Sequence, residues 1–226
     1  PAGTYLAVLI SRTNLPLRRT FSVVIVSAMF LPLYTQTAAW QAGFGQQGWA
    51  YHWLDGWRGA IWIHAMAAIP WVTVIVGIAL RHVEPQLEEA ALLSGNQWAA
   101  LCHVSLRRCW FAIIAAAVWV AIITAGEFTV TDMWWLRTYA EDIFRGFAVG
   151  ETPEEAAFGM LPSVAAAAIL LLAAMIVLMR VLSDFQIPTR APRLFELGVW
   201  RIPHFVVALA MFTSLVGVPL FNLVMP

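Results

Sequence analysis

The sequence predicts an all-α, polytopic membrane protein built as a bundle of about five transmembrane helices. Of its 226 residues, 61% are hydrophobic and 12% are charged, and the mean hydropathy is +0.76. Soluble domains carry about 25% charged residues, so half that share with this many apolar residues indicates a chain in a lipid bilayer. Long apolar runs alternate with arginine-bearing or tryptophan-rich segments, and a helix needs about 20 apolar residues to cross the hydrocarbon.

The apolar runs and the charged residues that bound them give five predicted spans. Between Arg19 and Asp55 there is no charged residue, which leaves room for one crossing, and Pro32 is expected to kink that helix. Charged residues lie close to the ends of most of the other runs and mark the membrane surface there. The predicted spans are residues 20–40, 59–80, 109–126, 156–179 and 202–225.

These spans divide the chain into four parts. The sequence begins at Pro1 rather than at methionine, and we expect a fragment whose first ten residues complete a preceding helix. The parts are residues 1–19, the end of that helix and a cytoplasmic connection; residues 20–182, a transmembrane domain with a cytoplasmic loop at residues 82–108; residues 183–201, a cytoplasmic connector; and residues 202–226, a further transmembrane helix.

The positions of the arginines set the predicted orientation. The chain contains no lysine, and the connections between spans place ten of its 13 basic residues on one side of the membrane. Cytoplasmic loops carry the excess of basic residues, so the loop at residues 82–108 is predicted to face the cytoplasm. The arginines on the opposite side are Arg58, Arg137 and Arg145.

Composition also excludes two classes of function. A Walker A loop requires a lysine, so the chain itself is not a P-loop ATPase. Its formal net charge is zero, whereas nucleic-acid binding needs a clustered basic surface. No catalytic residues are assigned, and the scattered histidines predict no metal site. Cys102 and Cys109 are expected to be reduced packing residues.

The polar loop has its own helix start and stop signals. Pro85 suits a first helical position, and Glu88 and Glu89 place negative charge near the positive end of the helix. Gly95 is expected to supply a left-handed stop, after which Asn96 caps a second helix. The segment thus predicts a helix, a turn and a second helix at the membrane surface.

The run Glu89-Ala90-Ala91, followed after three residues by Gly95, resembles the EAA signature of ABC importer permeases, the membrane-spanning subunits of binding-protein-dependent uptake systems. The resemblance implies the type I permease fold and a coupling helix that docks into a groove on a cytoplasmic ATPase through these four residues. The family pattern continues with Ile-x-Leu-Pro. Here Arg107 replaces the proline, and the spacing is one residue short. The alternative interpretation is a plain amphipathic surface helix.

Other segments are similar to ABC importer permeases of the ferric-iron type. In that branch a Gly-Glu-(Phe/Met)-Thr-Val-Thr-Asp run precedes an Arg-Thr-Tyr-Ala-Glu-Glu run, and residues 126–132 and 137–142 closely follow this order. Residues 41–45 and 56–62 also resemble that branch. Such permeases are often two fused halves. The single signature here implies most of a first half, with residues 190–226 resembling the connector and first helix of a second.

Two carboxylates, Glu127 and Asp132, lie where the third predicted span meets the outer side. Carboxylates at membrane depth are costly by about 2.5 to 3.5 kcal/mol on insertion scales, so they usually face a cavity or a partner. One interpretation is that they line a translocation path, where their oxygens briefly accept a ferric ion. The other is structural pairing with Arg137 or with backbone amides at the interface.

The resemblances therefore imply a permease subunit, not an enzyme, of an ATP-driven ABC importer in the bacterial inner membrane. The implied partners are cytoplasmic ABC ATPase subunits, an external substrate-binding protein, a second permease half or subunit and membrane lipid, but not nucleic acid. The chain is expected to bind no cofactor, since ATP is used by the partner subunit. Ferric iron is the predicted substrate. Thiamine, polyamine, sulfate or molybdate are alternatives within the transporter class, and a non-transporting membrane scaffold is the alternative from another class.

Overall fold

The computed structural model describes residues 1–45, 48–50, 52–150, 152–183 and 194–224, and α-helices make up most of these residues. A single isolated bridge, between Thr13 and Phe195, is the one β-type pairing in these ranges. The helices are α1 (Ala2–Arg12), α2 (Arg18–Ala28), α3 (Leu33–Phe44), α4 (Trp57–Arg81), α5 (Pro85–Ser94), α6 (Gln97–Ala100), α7 (Trp110–Ala125), α8 (Thr129–Met133), α9 (Tyr139–Val149), α10 (Pro153–Ser183), α11 (Arg201–Phe212) and α12 (Val218–Val224).

Short turns of other helical types extend some of these helices. α6 continues into a π-helical turn, Leu101–Leu106, and a 3-10 turn, Gly198–Trp200, leads into α11. A second π-helical turn, Thr213–Gly217, joins α11 to α12, so that Gly198–Val224 forms one long helix. We call residues 82–108, which contain α5, α6 and the first π-helical turn, the signature loop.

The described helices confirm the predicted all-α membrane fold. α4, the Ala157–Val177 part of α10 and Gly198–Val224 are each long and apolar enough to cross a membrane. Two helix pairs meet the same criterion as bent units: α2 with α3, and Gln97–Leu106 with α7, bent by 102° and 60° respectively. Counting each bent pair as one crossing gives five spans, which is the predicted number.

The first predicted span, residues 20–40, is a broken helix rather than a kinked one. α2 and α3 meet at 102°, and Pro32 stands immediately before α3 in a non-helical conformation. Proline lacks an amide hydrogen and disfavours helical geometry in the residue before it, which separates the two helices. α3 is then held in its own direction by a hydrogen bond from Gln41 Nε2 to the Met133 carbonyl at 2.7 Å.

Close packing of α1 on α4 forms one side of the core. Gly3 lies so near α4 that a Cβ built on it would come within 2.6 Å of the Val72 Cβ. The Thr73 hydroxyl, which donates to the Ile69 carbonyl of its own helix at 2.7 Å, also lies 3.2 Å from the Gly3 carbonyl oxygen across the same contact. Leu6 and Leu9 follow on α1 and are almost fully buried. α1 is therefore an integral part of the bundle core.

The helix that begins at Arg201 packs into the same core. Phe212 stacks on Phe21 of α2, with a distance of 4.3 Å between ring centroids. The Tyr5 hydroxyl of α1 lies 2.6 Å from His204 Nδ1. α11 is thus joined to both α1 and α2 by contacts that are distant in the sequence.

The bundle has two chemically different ends. At one, which we call the arginine end, the last residues of α1 and α4 meet the signature loop, and Arg12 Nη1 donates to the Leu80 carbonyl at 3.1 Å. At the other, the tryptophan end, the Trp134 ring packs directly on Gly59 near the start of α4. Which of the two ends faces the cytoplasm stays a prediction.

Among the long helices, α10 has the least buried surface. No residue of its Ala157–Val177 part is buried, and its main contacts are with α7 and α9. At its tryptophan end the Tyr139 hydroxyl of α9 donates to the Gly159 carbonyl. The apolar outward face of α10 is therefore available to lipid or to another membrane helix.

Candidate functional site

The signature loop begins as the sequence predicts. Pro85 occupies the first turn of α5, where the missing amide hydrogen leaves no bond unmade. The Asn96 side chain caps α6 by accepting a hydrogen bond from the Ala99 amide at 2.8 Å. These two signals fix where α5 and α6 start.

The prediction of a left-handed stop at Gly95 is wrong. Gly95 has extended backbone, with φ −159° and ψ −165°, a conformation that any residue adopts. A Cβ built there would lie 3.5 Å from the Ala91 carbonyl oxygen and 3.7 Å from the Ala99 Cβ, which is ordinary contact. Extended backbone and the Asn96 cap make the turn, so no contact within the described part of the chain requires glycine at this position.

A fully buried ion pair anchors α5 at the arginine end. Arg12, the last residue of α1, pairs through Nη2 with Glu88 Oε2, and both side chains are 0% exposed. The Ser105 hydroxyl donates to Glu88 Oε1 at 2.5 Å. Buried charges persist only when they are paired and hydrogen-bonded. These three side chains, which we call the buried cluster, therefore tie α1, α5 and the first π-helical turn together.

The segment that leads into α11 packs against the buried cluster. The Phe195 ring centroid lies 5.6 Å from the Arg12 guanidinium carbon, and the Phe195 amide donates to the Arg12 carbonyl at 2.7 Å. The next residue, Glu196, donates its amide hydrogen to Gln97 Oε1 at 3.2 Å, at the start of α6. α11 is thus linked through this segment to both α1 and the signature loop.

The other side of α5 faces away from the bundle. Glu89 and Ala90 are exposed, Leu93 is 93% exposed, and Gly95 is exposed just beyond the helix. Ala91 is half-buried and packs against the apolar core at this end. Glu89, Ala90 and Gly95, which are three of the four predicted coupling residues, therefore lie on the exposed surface together with Leu93. We call these four residues the exposed edge. Leu93 is the member that the signature pattern does not include.

A cavity of about 840 Å³ lies between α4, α7, α9 and α10 at the tryptophan end. Glu127, His64 and Tyr139 are the ionisable side chains that line it, and Thr138 and Ser163 add hydroxyl groups. The other described residues of the lining are mainly apolar and aromatic, and none of them is arginine. The cavity therefore presents acidic and neutral polar groups within an apolar wall.

Glu127 also caps a helix at this cavity. Its Oε1 accepts a hydrogen bond from the Thr129 amide at 2.9 Å, and its Oε2 accepts one from the Val130 amide at 3.1 Å, at the start of α8. Asp132 is exposed and is not part of the cavity lining. The structure thus separates the two carboxylates that the sequence groups, and a role of Glu127 in a translocation path stays a prediction.

The other side chains that could bind a metal ion are not clustered in the described structure. Within the part of the chain that the structure describes, no group of three His, Cys, Asp or Glu side chains is placed to hold a metal ion. The two cysteines are not joined in a disulfide: Cys102 is exposed on the first π-helical turn, and Cys109 is buried just before α7.

A comparison with known families covers most of the chain. The model of the family described as "binding-protein-dependent transport system inner membrane component" matches residues 1–194. No curated protein sequence matches the chain significantly. The family match and the apolar helices agree on an integral, multi-pass permease component of an ABC importer. The chain therefore belongs to the family of binding-protein-dependent transport system inner membrane components.

Proposed function

We propose that this permease imports ferric iron delivered by an external binding protein, and that the exposed edge contacts the cytoplasmic ABC ATPase that drives import. The main support for the coupling part of the proposal is that α5 is buried on one side and exposed on the other. Glu88 is locked into the bundle by Arg12, whereas Glu89 and Leu93 face outward. A helix held firmly on one side and exposed on the other is suited to receive a force from a partner and pass it on.

The buried cluster connects α5 mechanically to the transmembrane helices. Closure of the ATPase subunits on ATP displaces α5. Because Glu88 is bonded to Arg12 and Ser105, the end of α1 and the helix leading to α7 move with α5. Such a rigid-body change, biased by nucleotide, switches the bundle between outward and inward access. ATP is used by the partner subunit, and the permease itself performs no chemistry.

The cavity at the tryptophan end supports a cationic substrate. Among the described residues that line it, Glu127 is the carboxylate, and no arginine is present to bind an oxyanion such as sulfate or molybdate. Carboxylate oxygens are hard ligands that suit ferric iron. The similarity of residues 126–132 and 137–142 to ferric-iron-type permeases supports iron among the cations.

An organic cation, such as thiamine or a polyamine, is a second candidate for the substrate. Trp57, Phe128, Tyr139 and Phe144 line the same cavity, and aromatic faces attract organic cations. Competition between labelled ferric iron, thiamine and polyamine in ATP-loaded vesicles, with the binding protein supplied, separates the two candidates. Ferric iron uptake that unlabelled thiamine and polyamine leave unchanged is the expected result.

Charged substitutions on the exposed edge test the coupling site in the full-length permease, co-expressed with its ATPase. Glu89→Lys and Gly95→Asp are expected to abolish both ATPase co-purification and nucleotide-dependent uptake while the permease still reaches the membrane. Gly95→Ala is the matched control and is expected to keep both, because its methyl group has room. Normal uptake in both charged variants contradicts the proposal. A correctly inserted wild type that never retains the ATPase supports the scaffold alternative.

A further inference from the structure

A basic pocket lies beside the signature loop at the arginine end. Its volume is about 640 Å³, and it lies where Gln97–Leu106 and α7 meet at their 60° bend. Arg107, which stands where the family pattern has proline, is one of its walls, and the next residue, Arg108, is another. The described residues that line it are Leu87, His103, Val104, Arg107, Arg108, Trp110 and Phe111.

The charge of this pocket is of one sign. Arg107 and Arg108 are exposed, and neither forms a salt bridge with any residue that the structure describes. His103 is exposed beside them, and none of the described residues that line the pocket is a carboxylate. The nearby Glu88 is fully buried in its pair with Arg12. Two guanidinium groups in one pocket are therefore left available for an anion from outside the chain.

The other residues that line the pocket indicate what kind of molecule the anionic group belongs to. Leu87, Val104, Trp110 and Phe111 are apolar or aromatic, and the apolar helix α7 begins at Trp110. The third predicted span begins at residue 109, so the pocket lies where the chain is predicted to enter the hydrocarbon, a depth at which tryptophan is favoured. A ligand that fits both kinds of wall has a negatively charged head and an apolar tail.

We propose that this pocket binds the phosphate headgroup of an anionic phospholipid in the cytoplasmic leaflet, with its acyl chain against Trp110 and Phe111. Arginine suits phosphate because its planar guanidinium donates two parallel hydrogen bonds, and basic pockets beside membrane helices on the cytoplasmic side bind such headgroups. The site is distinct from the exposed edge, and it rests on the orientation given by the arginine count rather than on the coupling proposal.

Native mass spectrometry of the full-length permease, titrated with dioleoyl phosphatidylglycerol, dioleoyl phosphatidylcholine or inorganic phosphate, tests this site. The double variant Arg107→Gln, Arg108→Gln is expected to bind phosphatidylglycerol about thirtyfold more weakly at one site, from about 1 kcal/mol per arginine and tenfold per 1.4 kcal/mol. Phosphatidylcholine binding is expected to be unchanged. Inorganic phosphate is expected to bind far more weakly than the lipid, since it lacks the acyl chain.

The matched control is Arg18→Gln, Arg19→Gln, which removes the same charge at the start of α2, on the same side and outside the pocket. It is expected to change phosphatidylglycerol affinity by less than about twofold. Equal loss in both double variants, or no loss in the pocket variant, overturns the proposal. Inorganic phosphate that binds as tightly as phosphatidylglycerol also overturns the proposal. The same holds if the pocket variant keeps its affinity for phosphatidylglycerol but no longer retains the ATPase. If the double variant does not fold, Arg107→Gln alone is used, with an expected loss of about fivefold.

Discussion

At the scale of single residues, the pair of Arg12 and Glu88 is the feature on which the arginine end depends. Both side chains are completely buried, and each charge is stabilised chiefly by the other. Removing one partner of a buried pair leaves the other charge uncompensated, whereas replacing both with apolar residues of similar size is often neutral or stabilising. Losing either residue alone is therefore expected to destabilise the protein more than replacing both.

Glu88→Gln is expected to destabilise the permease by about 3 to 5 kcal/mol, because Arg12 then keeps a buried charge without a counter-charge. The measurement is the thermal unfolding midpoint of the full-length permease in detergent. The double variant Arg12→Met, Glu88→Met is expected to recover most of the loss.

Glu89→Gln, one residue further on the exposed edge, is the matched control and is expected to change stability by less than about 0.5 kcal/mol. If the variants at positions 88 and 89 lower the midpoint equally, the buried cluster is not the anchor described above.

That Glu88 is buried and Glu89 is exposed was only partly predictable from the sequence. Helical spacing places Glu88 three and four residues before Ala91 and Leu92, both of which pack against the core at the arginine end. That period was a usable signal that Glu88 points inward. Its partner was not predictable, because Arg12 lies 76 residues away in the sequence and reads locally as part of a polar connection. The resemblance to the four-residue signature came from the sequence alone, and its role in coupling stays a prediction. Leu93 is added to the exposed edge because the structure shows that it is exposed.

At the scale of helices, the contact between α1 and α4 depends on how closely their backbones approach. Two glycines lie in this interface and have different surroundings. A Cβ on Gly3 would come within 2.6 Å of Val72, whereas a Cβ on Gly77 would meet the Ala7 Cβ at 4.0 Å. One position therefore requires glycine and the other has room for a methyl group.

Gly3→Ala is expected to destabilise the permease by about 1 to 3 kcal/mol, the usual cost of overpacking a well-packed core. Gly77→Ala, in the same interface, is expected to be neutral or slightly stabilising, since alanine is a better helix former than glycine. Thermal midpoints of the two variants, measured side by side, check both. A lower midpoint for Gly77→Ala than for Gly3→Ala contradicts this packing.

Helices whose ends are marked by nearby charged residues in the sequence were predicted well. Residues 59–80 were predicted as a span and lie within α4, and residues 156–179 were predicted as a span and lie within α10. Hydropathy and flanking charge are sufficient to predict a helix that is not interrupted. The break between α2 and α3 was not predicted. Pro32 signals a kink, but an angle of 102° depends on tertiary contacts such as the bond from Gln41 to the Met133 carbonyl.

At the scale of the whole molecule, the arginine end is predicted to face the cytoplasm and the tryptophan end to face the outer side. Cys102 is an exposed thiol in the signature loop, and Trp53 is 78% exposed in the loop before α4, on the opposite side. A membrane-impermeant maleimide is expected to label Cys102 only in inside-out vesicles. On a Cys102→Ser background, Trp53→Cys is expected to be labelled in intact cells. Labelling of Cys102 in intact cells contradicts the predicted orientation.

The measurement that tests the central claim most directly is photo-crosslinking from the exposed edge to the ATPase. Leu93→Cys, on the Cys102→Ser background with Cys109 buried, carries a maleimide-linked benzophenone in the assembled transporter. Leu161→Cys, exposed on the outward face of α10, is the control. We predict an ATPase adduct from position 93 whose yield changes when ATP binds, and none from position 161. An intact complex that gives no adduct from position 93, or equal adducts from both positions, would contradict coupling through this edge.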